Sequence, residues 1–200
     1  MSASKVLFIR HGQTDFNTEG RLQGAMPVPI NDCGIQQSQA LAQHLRRMPI
    51  DAIYASPRQR AKETAQIIAE TLQLPLIQDE RLAEIAFGIF EGYTFAEVKQ
   101  RFPDNYVKWQ SGYRPYRVPN GESRLDVQQR MSSAWDDIVN APDQKTVAIV
   151  GHSSALMILL ASMFAILPAK RVLNTSVTTL ERYQEIWRIT SFAETPHLAC

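Results

Sequence analysis

The alternation of short apolar runs with amphipathic segments constrains the fold of this chain more than any other feature of its sequence. Residues 6–9 and 51–55 are rich in strand-forming residues and have the length of buried strands. Residues 31–48 and 56–72 carry apolar side chains at helical spacing. The order strand, helix, strand, helix over residues 6–72 is typical of a parallel sheet covered by helices.

Local signals indicate where these two helices begin and end. Asn31 or Asp32 is expected to cap the first helix, and Pro49 is expected to end it. Ser56 is expected to cap the second helix, with Pro57 in its first position. At that position a proline, which lacks an N–H, costs the helix no hydrogen bond.

The rest of the chain continues this pattern around one segment of different character. Residues 88–120 combine many aromatic side chains with prolines and glycines, which indicates short helices and loops that form a cap. We therefore predict a three-layer α/β/α sandwich whose sheet is mostly parallel, with an antiparallel strand near its end and a small aromatic-rich cap inserted at about residues 88–120. The other predicted elements are a strand at 75–79, a helix that starts at 122 and is closed by Pro142, a strand at 146–150, an apolar helix at 154–166 and a hairpin at 177–180 and 186–189.

Composition limits the class of protein. The 200 residues are 44% hydrophobic and 20% charged, which is the profile of one globular domain over residues 1–200. A net charge of +1 without blocks of like charge argues against a general nucleic-acid or membrane-surface binder. Cys33 and Cys200 lack the close partners of a disulfide framework or metal site, and the apolar residues 155–167 are too few to span a bilayer. We expect a cytoplasmic protein.

Charged and nucleophilic side chains follow several of the predicted strands. His11 comes directly after the first strand, beside Arg10, and His152 follows the fourth strand. Residues 56–60 bring two arginines to the end of the second strand, and Glu84 follows the third. Because the carboxyl ends of parallel strands meet at one edge of a sheet, we expect these groups to lie close together.

Two imidazoles among guanidinium groups suit a phosphate group. A guanidinium binds two phosphate oxygens at once, and nearby cations lower the pKa of an imidazole, so that one ring nitrogen stays free for attack. Glu84 would then protonate the leaving oxygen. The residues alone leave two other interpretations open: His11 and His152 as zinc ligands, and His11 as a structural residue at a strand end.

Six blocks of the sequence resemble the histidine phosphatase superfamily, the phosphoglycerate mutase-like proteins. An RHG triplet alone is weak evidence, whereas six blocks in the family's order over nearly the whole chain are specific. The blocks are RHGQTDFN at 10–17, GRLQG at 20–24, SPRQRAKETA at 56–65, LAEIAFGIFEG at 82–92, PNGES at 119–123 and VGHSS at 150–154.

This resemblance implies a role for each matching residue. His11 would be the nucleophile that forms a phosphohistidine, and Glu84 would be the proton donor. No metal ion or organic cofactor is expected. Arg10, Arg60 and His152 would bind and stabilise the transferring phosphoryl group, and Asn17, Gln23, Gly24 and Phe87 would complete the phosphate and substrate contacts.

The resemblance also selects between two neighbouring arginines. The family's phosphate-binding arginine directly precedes the alanine of an RA pair, which is the position of Arg60. Arg58 stands where many members have leucine, so its role is left open between an exposed position and the rim of the pocket.

Within the family, the sequence favours a phosphatase over a mutase. Mutases that use a bisphosphate cofactor hold it with an arginine, a tyrosine, a lysine and an arginine pair, and these places are occupied here by Ile85, Phe87, Phe95 and Gln110–Ser111. Water is therefore the expected acceptor. The partner we expect is a small phosphorylated metabolite with an apolar or amphipathic body; similar proteins act on phosphoserine, α-ribazole phosphate, fructose 2,6-bisphosphate or phosphoglycerate.

Two alternative functions remain. The first is a 2,3-bisphosphoglycerate-dependent phosphoglycerate mutase, and the second is a catalytically silent protein that binds a phosphorylated ligand. Because binding alone does not require His11, Glu84 and His152 together, their presence argues against a silent protein. We expect no nucleic-acid or membrane partner, and a monomer or a homodimer.

Overall fold

The core of the molecule is a six-stranded sheet, seen in a computed structural model that describes residues 3–167 and 169–198. Cys200 lies outside the described residues, and Cys33 is an exposed free thiol. In this part of the chain, no helix has the length and apolar character needed to cross a membrane. The strands are β1 (Lys5–Arg10), β2 (Ala52–Ala55), β3 (Leu76–Gln78), β4 (Thr146–Gly151), β5 (Val177–Tyr183) and β6 (Ile186–Glu194).

The sheet is mostly parallel. Its strand order is β3-β2-β4-β1-β5-β6, and the pairs β3/β2, β2/β4 and β4/β1 are parallel. β5 pairs antiparallel with both β1 and β6, so β5 runs against the other five described strands. The predicted fold class, a mostly parallel α/β sheet with an antiparallel strand near its end, is confirmed.

Helices cover both faces of the sheet. They are α1 (Asp15–Glu19), α2 (Asp32–Leu45), α3 (Gln59–Leu72), α4 (Phe95–Arg101), α5 (Pro103–Gln110), α6 (Arg124–Asn140) and α7 (Ser153–Met163). Alternate residues of β1 point to opposite faces, as the strand geometry requires: Val6 and Phe8 pack with α6 and α7, whereas Leu7 and Ile9 pack with α2 and α3. This arrangement gives the three layers.

The predicted start of α3 is wrong. The helix begins at Gln59, its N-cap residue is Arg58, and no side chain caps it. Ser56 instead prolongs β2, because its N–H donates to Val150 O at 3.0 Å. The Ser56 hydroxyl accepts from Arg58 N–H at 3.2 Å and lies 2.8 Å from a ring nitrogen of His152, so it belongs to the site and not to a helix cap.

The cap region, predicted at about residues 88–120, consists of a 3-10 turn at Gly88–Phe90 followed by α4 and α5. Its aromatic side chains gather around Trp109, whose ring centroid lies 5.5 Å from that of Phe95 and 6.3 Å from that of Phe90. Phe87 contacts the same ring edge-on at 6.4 Å. This cluster brings Trp109 to the carboxyl edge of the sheet.

Candidate active site

The carboxyl ends of β1 and β4 bring two histidines together. These neighbouring strands end level, with Arg10 opposite Gly151, so His11 and His152 follow at the same height. Their ring centroids are 5.2 Å apart. Only 3% of His11 and 2% of His152 is exposed, so the pair lies in the interior of the protein.

The surroundings of His11 leave one ring nitrogen free. Its Nδ1 lies 2.7 Å from Gly12 O, and because a carbonyl oxygen only accepts, Nδ1 must carry the proton. Burial, and then the charges of Arg60 and Arg10, hold the pKa of His11 well below its ordinary value. The ring is therefore neutral at pH 7 with an unprotonated Nε2, which is the form that can attack phosphorus.

His152 is held by a different partner. Its Nε2 lies 2.8 Å from Ser56 Oγ, and its Nδ1 is buried without a partner among the described residues. Burial, followed by the nearby Arg60 and His11, keeps the pKa of His152 well below its usual range. A neutral His152 adds no positive charge next to His11.

Gly12 lets α2 pack closely against the backbone that follows the nucleophile. A Cβ at this position would lie 2.7 Å from Gly34 O, so α2 can approach only a glycine here. The Gly12 N–H donates to Thr64 Oγ1 at 2.9 Å, and Thr64 Oγ1 donates to Arg60 O at 2.8 Å. The backbone after His11 is thus fixed to α3, which carries Arg60.

A loop before β5 supports the nucleophile from the other side, and the six sequence blocks do not include it. The Thr175 N–H donates to Arg10 O at 3.0 Å, and Asn174 Nδ2 donates to His11 O at 3.0 Å. Thr175 Oγ1 lies 2.9 Å from Nε2 of His197 in the C-terminal tail. The tail therefore supports this loop, a role that no local sequence signal indicated.

The guanidinium groups of Arg60, which is buried, and Arg10, which is half-buried, leave donors available to a ligand. Arg10 Nη1 donates to Val172 O at 2.7 Å, and Arg60 donates to Gly24 O at 2.9 Å and to Met26 O at 3.2 Å. The Nε atoms of both arginines are buried and unpartnered among the described residues. Burial lowers the pKa of each to about 10, so both stay protonated at pH 7. Two fixed charges with unused N–H groups fit an oxyanion.

The Glu84 carboxylate is held at the start of α7. Its Oε1 accepts the N–H of Ile85 at 3.0 Å and of Ala155 at 2.9 Å, and its Oε2 accepts Ser154 N–H at 3.3 Å. Glu84 is 7% exposed. Because Oε2 makes the single and longer bond, it is the oxygen with more hydrogen-bonding capacity left for a ligand.

The segment from Asn17 to Gly24 closes one side of the site. Asn17 Oδ1 accepts from Asn174 Nδ2 at 3.0 Å, and Gln23 Oε1 is buried without a partner among the described residues. Gly24 has φ +48°, and a Cβ there would overlap the carboxylate of Glu91. That carboxylate accepts two backbone N–H groups, so Glu91 ties this segment to the chain that follows Glu84.

Most of the predicted site residues border one cavity of about 280 Å³. A second, mainly apolar cavity of about 520 Å³ shares Phe87, Trp109 and Ser154 with it. His152 lies against His11 but outside the lining found for the described residues. The lining contains the predicted residues Arg10, His11, Asn17, Gln23, Gly24, Arg60, Glu84 and Phe87, and, beyond the prediction, Phe16, Gly20, Arg21, Leu22, Phe95, Trp109, Ser153, Ser154 and Arg171.

The two arginines of the SPRQR block have different environments. Arg60 is 1% exposed and lines the 280 Å³ cavity. Arg58 is half-buried, and its Nη1 donates to Ala25 O at 3.5 Å outside that lining. Arg58 therefore contacts Ala25, the residue that follows the Gly20–Gly24 loop, and does not line the cavity.

The zinc interpretation needs a third donor beside His11 and His152. Within residues 3–167 and 169–198, no three His, Cys, Asp or Glu side chains are grouped so that they could hold a metal ion. The guanidinium groups of Arg10 and Arg60 act on both imidazoles with positive charge, which repels a cation.

The chain matches a known protein family over nearly its whole length. The family model described as "Histidine phosphatase superfamily (branch 1)" matches residues 6–195. The chain belongs to the histidine phosphatase superfamily. Its similarity to individual relatives spans nearly the full length of both chains.

Relatives within the superfamily carry two kinds of name. A Bacillus subtilis (strain 168) protein named "Uncharacterized phosphatase PhoE" is 30% identical over 97% of this chain and 96% of its own. A Yersinia pestis (strain Pestoides F) protein named "Probable phosphoglycerate mutase GpmB" is 31% identical over 97% of this chain and 94% of its own. Sequence similarity alone therefore leaves the choice between phosphatase and mutase open.

A solved structure of the superfamily has the same fold. A phosphoserine phosphatase mutant from Entamoeba histolytica, in complex with phosphoserine, superposes with a TM-score of 0.86 at 30% identity. The match covers 98% of this chain and 99% of that one. The architecture derived above is thus shared with a superfamily member over its whole length.

Proposed function

We propose that this protein is a metal-independent phosphatase that hydrolyses a small phosphomonoester through a phosphohistidine on His11. The observation that carries the proposal is the state of His11: a neutral ring with a free Nε2, which lines the same cavity as Arg10, Arg60 and Glu84. A nucleophile, two cations and an acid are the groups that phosphoryl transfer requires.

In the first step, His11 Nε2 attacks phosphorus and the bond from phosphorus to the ester oxygen breaks. The leaving oxygen takes the proton that Glu84 carries on Oε2, so an alcohol departs and Glu84 becomes a carboxylate. Arg10 and Arg60 neutralise the oxygens of the phosphoryl group, and their anchoring to backbone carbonyls fixes these charges in advance.

In the second step, water attacks the phosphorus of phosphohistidine. The Glu84 carboxylate takes one proton from this water, the N–P bond breaks, and His11 returns to the neutral ring with a free Nε2. Inorganic phosphate leaves, and the protonated Glu84 is ready for the next substrate. The cycle consumes one ester and one water and needs no other reactant.

Water is proposed as the acceptor because apolar side chains stand where mutases hold a second phosphate. Ile85 and Phe87 are buried, and Phe95 stacks on Trp109. None of these side chains can bind an anion. A bisphosphate would lack the contacts that these positions provide in a mutase, which must retain its cofactor.

The adjoining 520 Å³ cavity supports a leaving group with an apolar or amphipathic body. Phe87, Trp109, Met157 and Ile158 line it next to the site of the phosphate. We propose that the alcohol part of the substrate occupies this cavity. Arg114 and Arg124 also border it and suit an amphipathic body with a negative group.

The test is hydrolysis of a panel of phosphomonoesters in the presence of a chelator. Wild-type protein is expected to release phosphate, with higher kcat/KM for aryl and long-chain esters than for glycerol phosphate, and His11→Ala to be inactive. Trp109→Ala is expected to reduce the preference for apolar esters while retaining hydrolysis. Loss of activity in chelator would contradict the metal-free mechanism, and full activity of His11→Ala would contradict the nucleophile.

The mutase alternative is favoured by the name of one relative and is tested in the same assay. A mutase would interconvert 3- and 2-phosphoglycerate and would depend on added 2,3-bisphosphoglycerate. We expect release of inorganic phosphate without that requirement. Interconversion that is faster than hydrolysis would overturn the choice of water as acceptor.

A further inference from the structure

The guanidinium group of Arg130, on α6, binds the backbone of the segment that carries Glu84. Arg130 Nη1 donates to Arg81 O and to Ala83 O, both at 2.7 Å, and Nη2 donates to Glu84 O at 3.2 Å. The side chain is 18% exposed. Three carbonyl groups of one short segment thus share a single cationic partner.

The remaining donors of Arg130 bind Glu122 of the PNGES block. Nε donates to Glu122 Oε1 at 2.8 Å and Nη2 to Oε2 at 2.9 Å. With the three carbonyl bonds, all five N–H donors of the guanidinium group are used. Lysine, with three donors on one nitrogen, has no geometry that reproduces this set.

Glu122 extends the same support to the chain beyond Glu84. Its Oε2 accepts Ala86 N–H at 3.0 Å, and its own N–H donates to Ala86 O at 2.9 Å. Residues 83–87 form neither helix nor strand, so their polar backbone groups depend on such contacts. Arg130 and Glu122 together act on the backbone on both sides of Glu84.

We infer that Arg130 is a positioning residue for Glu84, which rests on the proposed function above. Arg130 makes no contact with the Glu84 carboxylate; it fixes the backbone from which that side chain extends, while the N-terminus of α7 holds the carboxylate itself. Without the guanidinium group the backbone is free to shift, and the proton on Oε2 no longer meets the leaving oxygen. A displacement of this kind impairs protonation of the leaving group more strongly than it impairs phosphate binding.

The test compares kcat/KM for two esters that differ in their need for a proton. p-Nitrophenyl phosphate has a stable leaving group that departs without protonation, whereas an alkyl phosphate needs the acid. For Arg130→Met we expect a loss of about tenfold to a hundredfold on the alkyl ester and little change on the aryl ester. Glu84→Gln is expected to show the same selectivity more strongly, and the double variant to match Glu84→Gln alone.

Arg81→Met is the matched control on the same segment. The Arg81 side chain pairs with Asp79 and Asp137 at the protein surface and donates to none of the carbonyl groups that Arg130 binds. This variant is expected to lose stability without changing the ratio of kcat/KM between the two esters. If Arg130→Met does not fold by circular dichroism, Arg130→Lys is measured with the same expectation.

The possible outcomes distinguish a failure of the inference about Arg130 from a failure of the proposed role of Glu84. If Arg130→Met or Arg130→Lys loses activity equally on both esters, Arg130 has only a structural role and the inference is wrong. If Glu84→Gln itself shows no selective loss on the alkyl ester, the proposed role of Glu84 fails first. Additional loss of alkyl activity in the double variant, beyond that of Glu84→Gln, would also contradict action through Glu84.

Discussion

The imidazole rings of His11 and His152 lie 5.2 Å apart, centroid to centroid, and both have pKa values held well below the ordinary value by burial and by Arg60. Two protonated imidazoles at this distance would repel each other strongly. Two neutral rings can lie together, and Arg10 and Arg60, which line the same cavity as His11, then provide fixed positive charge for the phosphate.

The first prediction concerns stability against pH. In the unfolded chain both histidines take up protons as the pH falls through about 6.5, whereas in the folded protein they do not. The unfolded state therefore binds more protons, and the free energy of unfolding is expected to fall as the pH is lowered from 7 to 5. Replacement of His152 by Asn removes one of these groups and should flatten the dependence of Tm on pH. An unchanged slope would contradict the lowered pKa of His152.

The second prediction separates Arg60 from Arg58. Arg60→Met removes a buried charge that faces the cavity, so kcat/KM is expected to fall by about a hundredfold or more, with weaker inhibition by inorganic phosphate. Arg58→Met removes a half-buried charge outside the lining and should cause a much smaller loss. Equal losses in the two variants would show that the cavity does not distinguish these arginines.

The third prediction uses two glycines of the Gly20–Gly24 loop. Gly24→Ala would clash with the Glu91 carboxylate at φ +48°, so we expect a loss of about 1–3 kcal/mol in the free energy of unfolding and weaker phosphate binding. Gly20→Ala meets no atom within 4 Å, and only its φ of +70° costs stability, by about 1 kcal/mol. Urea denaturation measures both. A smaller loss for Gly24→Ala than for Gly20→Ala would contradict the close approach of Glu91.

Most of the fold could be predicted because its central strands β1, β2 and β4 are short, apolar and buried on both faces. β1 extends one residue beyond its predicted limits at each end, and β4 extends one residue beyond its predicted carboxyl end. The prediction is this close because burial produces the apolar pattern and because His11 and His152 mark the carboxyl edge of the sheet. The start of α3 could not be predicted from local signals. Ser56 has the sequence of a cap, but its hydroxyl is engaged by His152, a partner that is distant in sequence.

The residues of the site also divide into those that the sequence predicts and those that only the tertiary structure brings together. Arg10, Arg60 and Glu84 stand in sequence blocks and line one cavity, as expected. Asn174 and Thr175 hold the backbone of the nucleophile from a loop without any recognisable pattern, and only the pairing of β5 with β1 brings them near. Such contacts depend on tertiary structure, and a single sequence contains no signal for them.

The central claim, that His11 carries the phosphoryl group, is tested most directly by trapping the intermediate. The enzyme is mixed with substrate, stopped in alkaline denaturant that preserves phosphohistidine, and its phosphorylated residue is located by tandem mass spectrometry. We predict phosphate on His11 in the wild-type protein, increased in Glu84→Gln with an aryl ester because breakdown by water is slowed, and none in His11→Ala. Phosphate on another residue, or a His11→Ala protein that still hydrolyses the ester, would contradict this account.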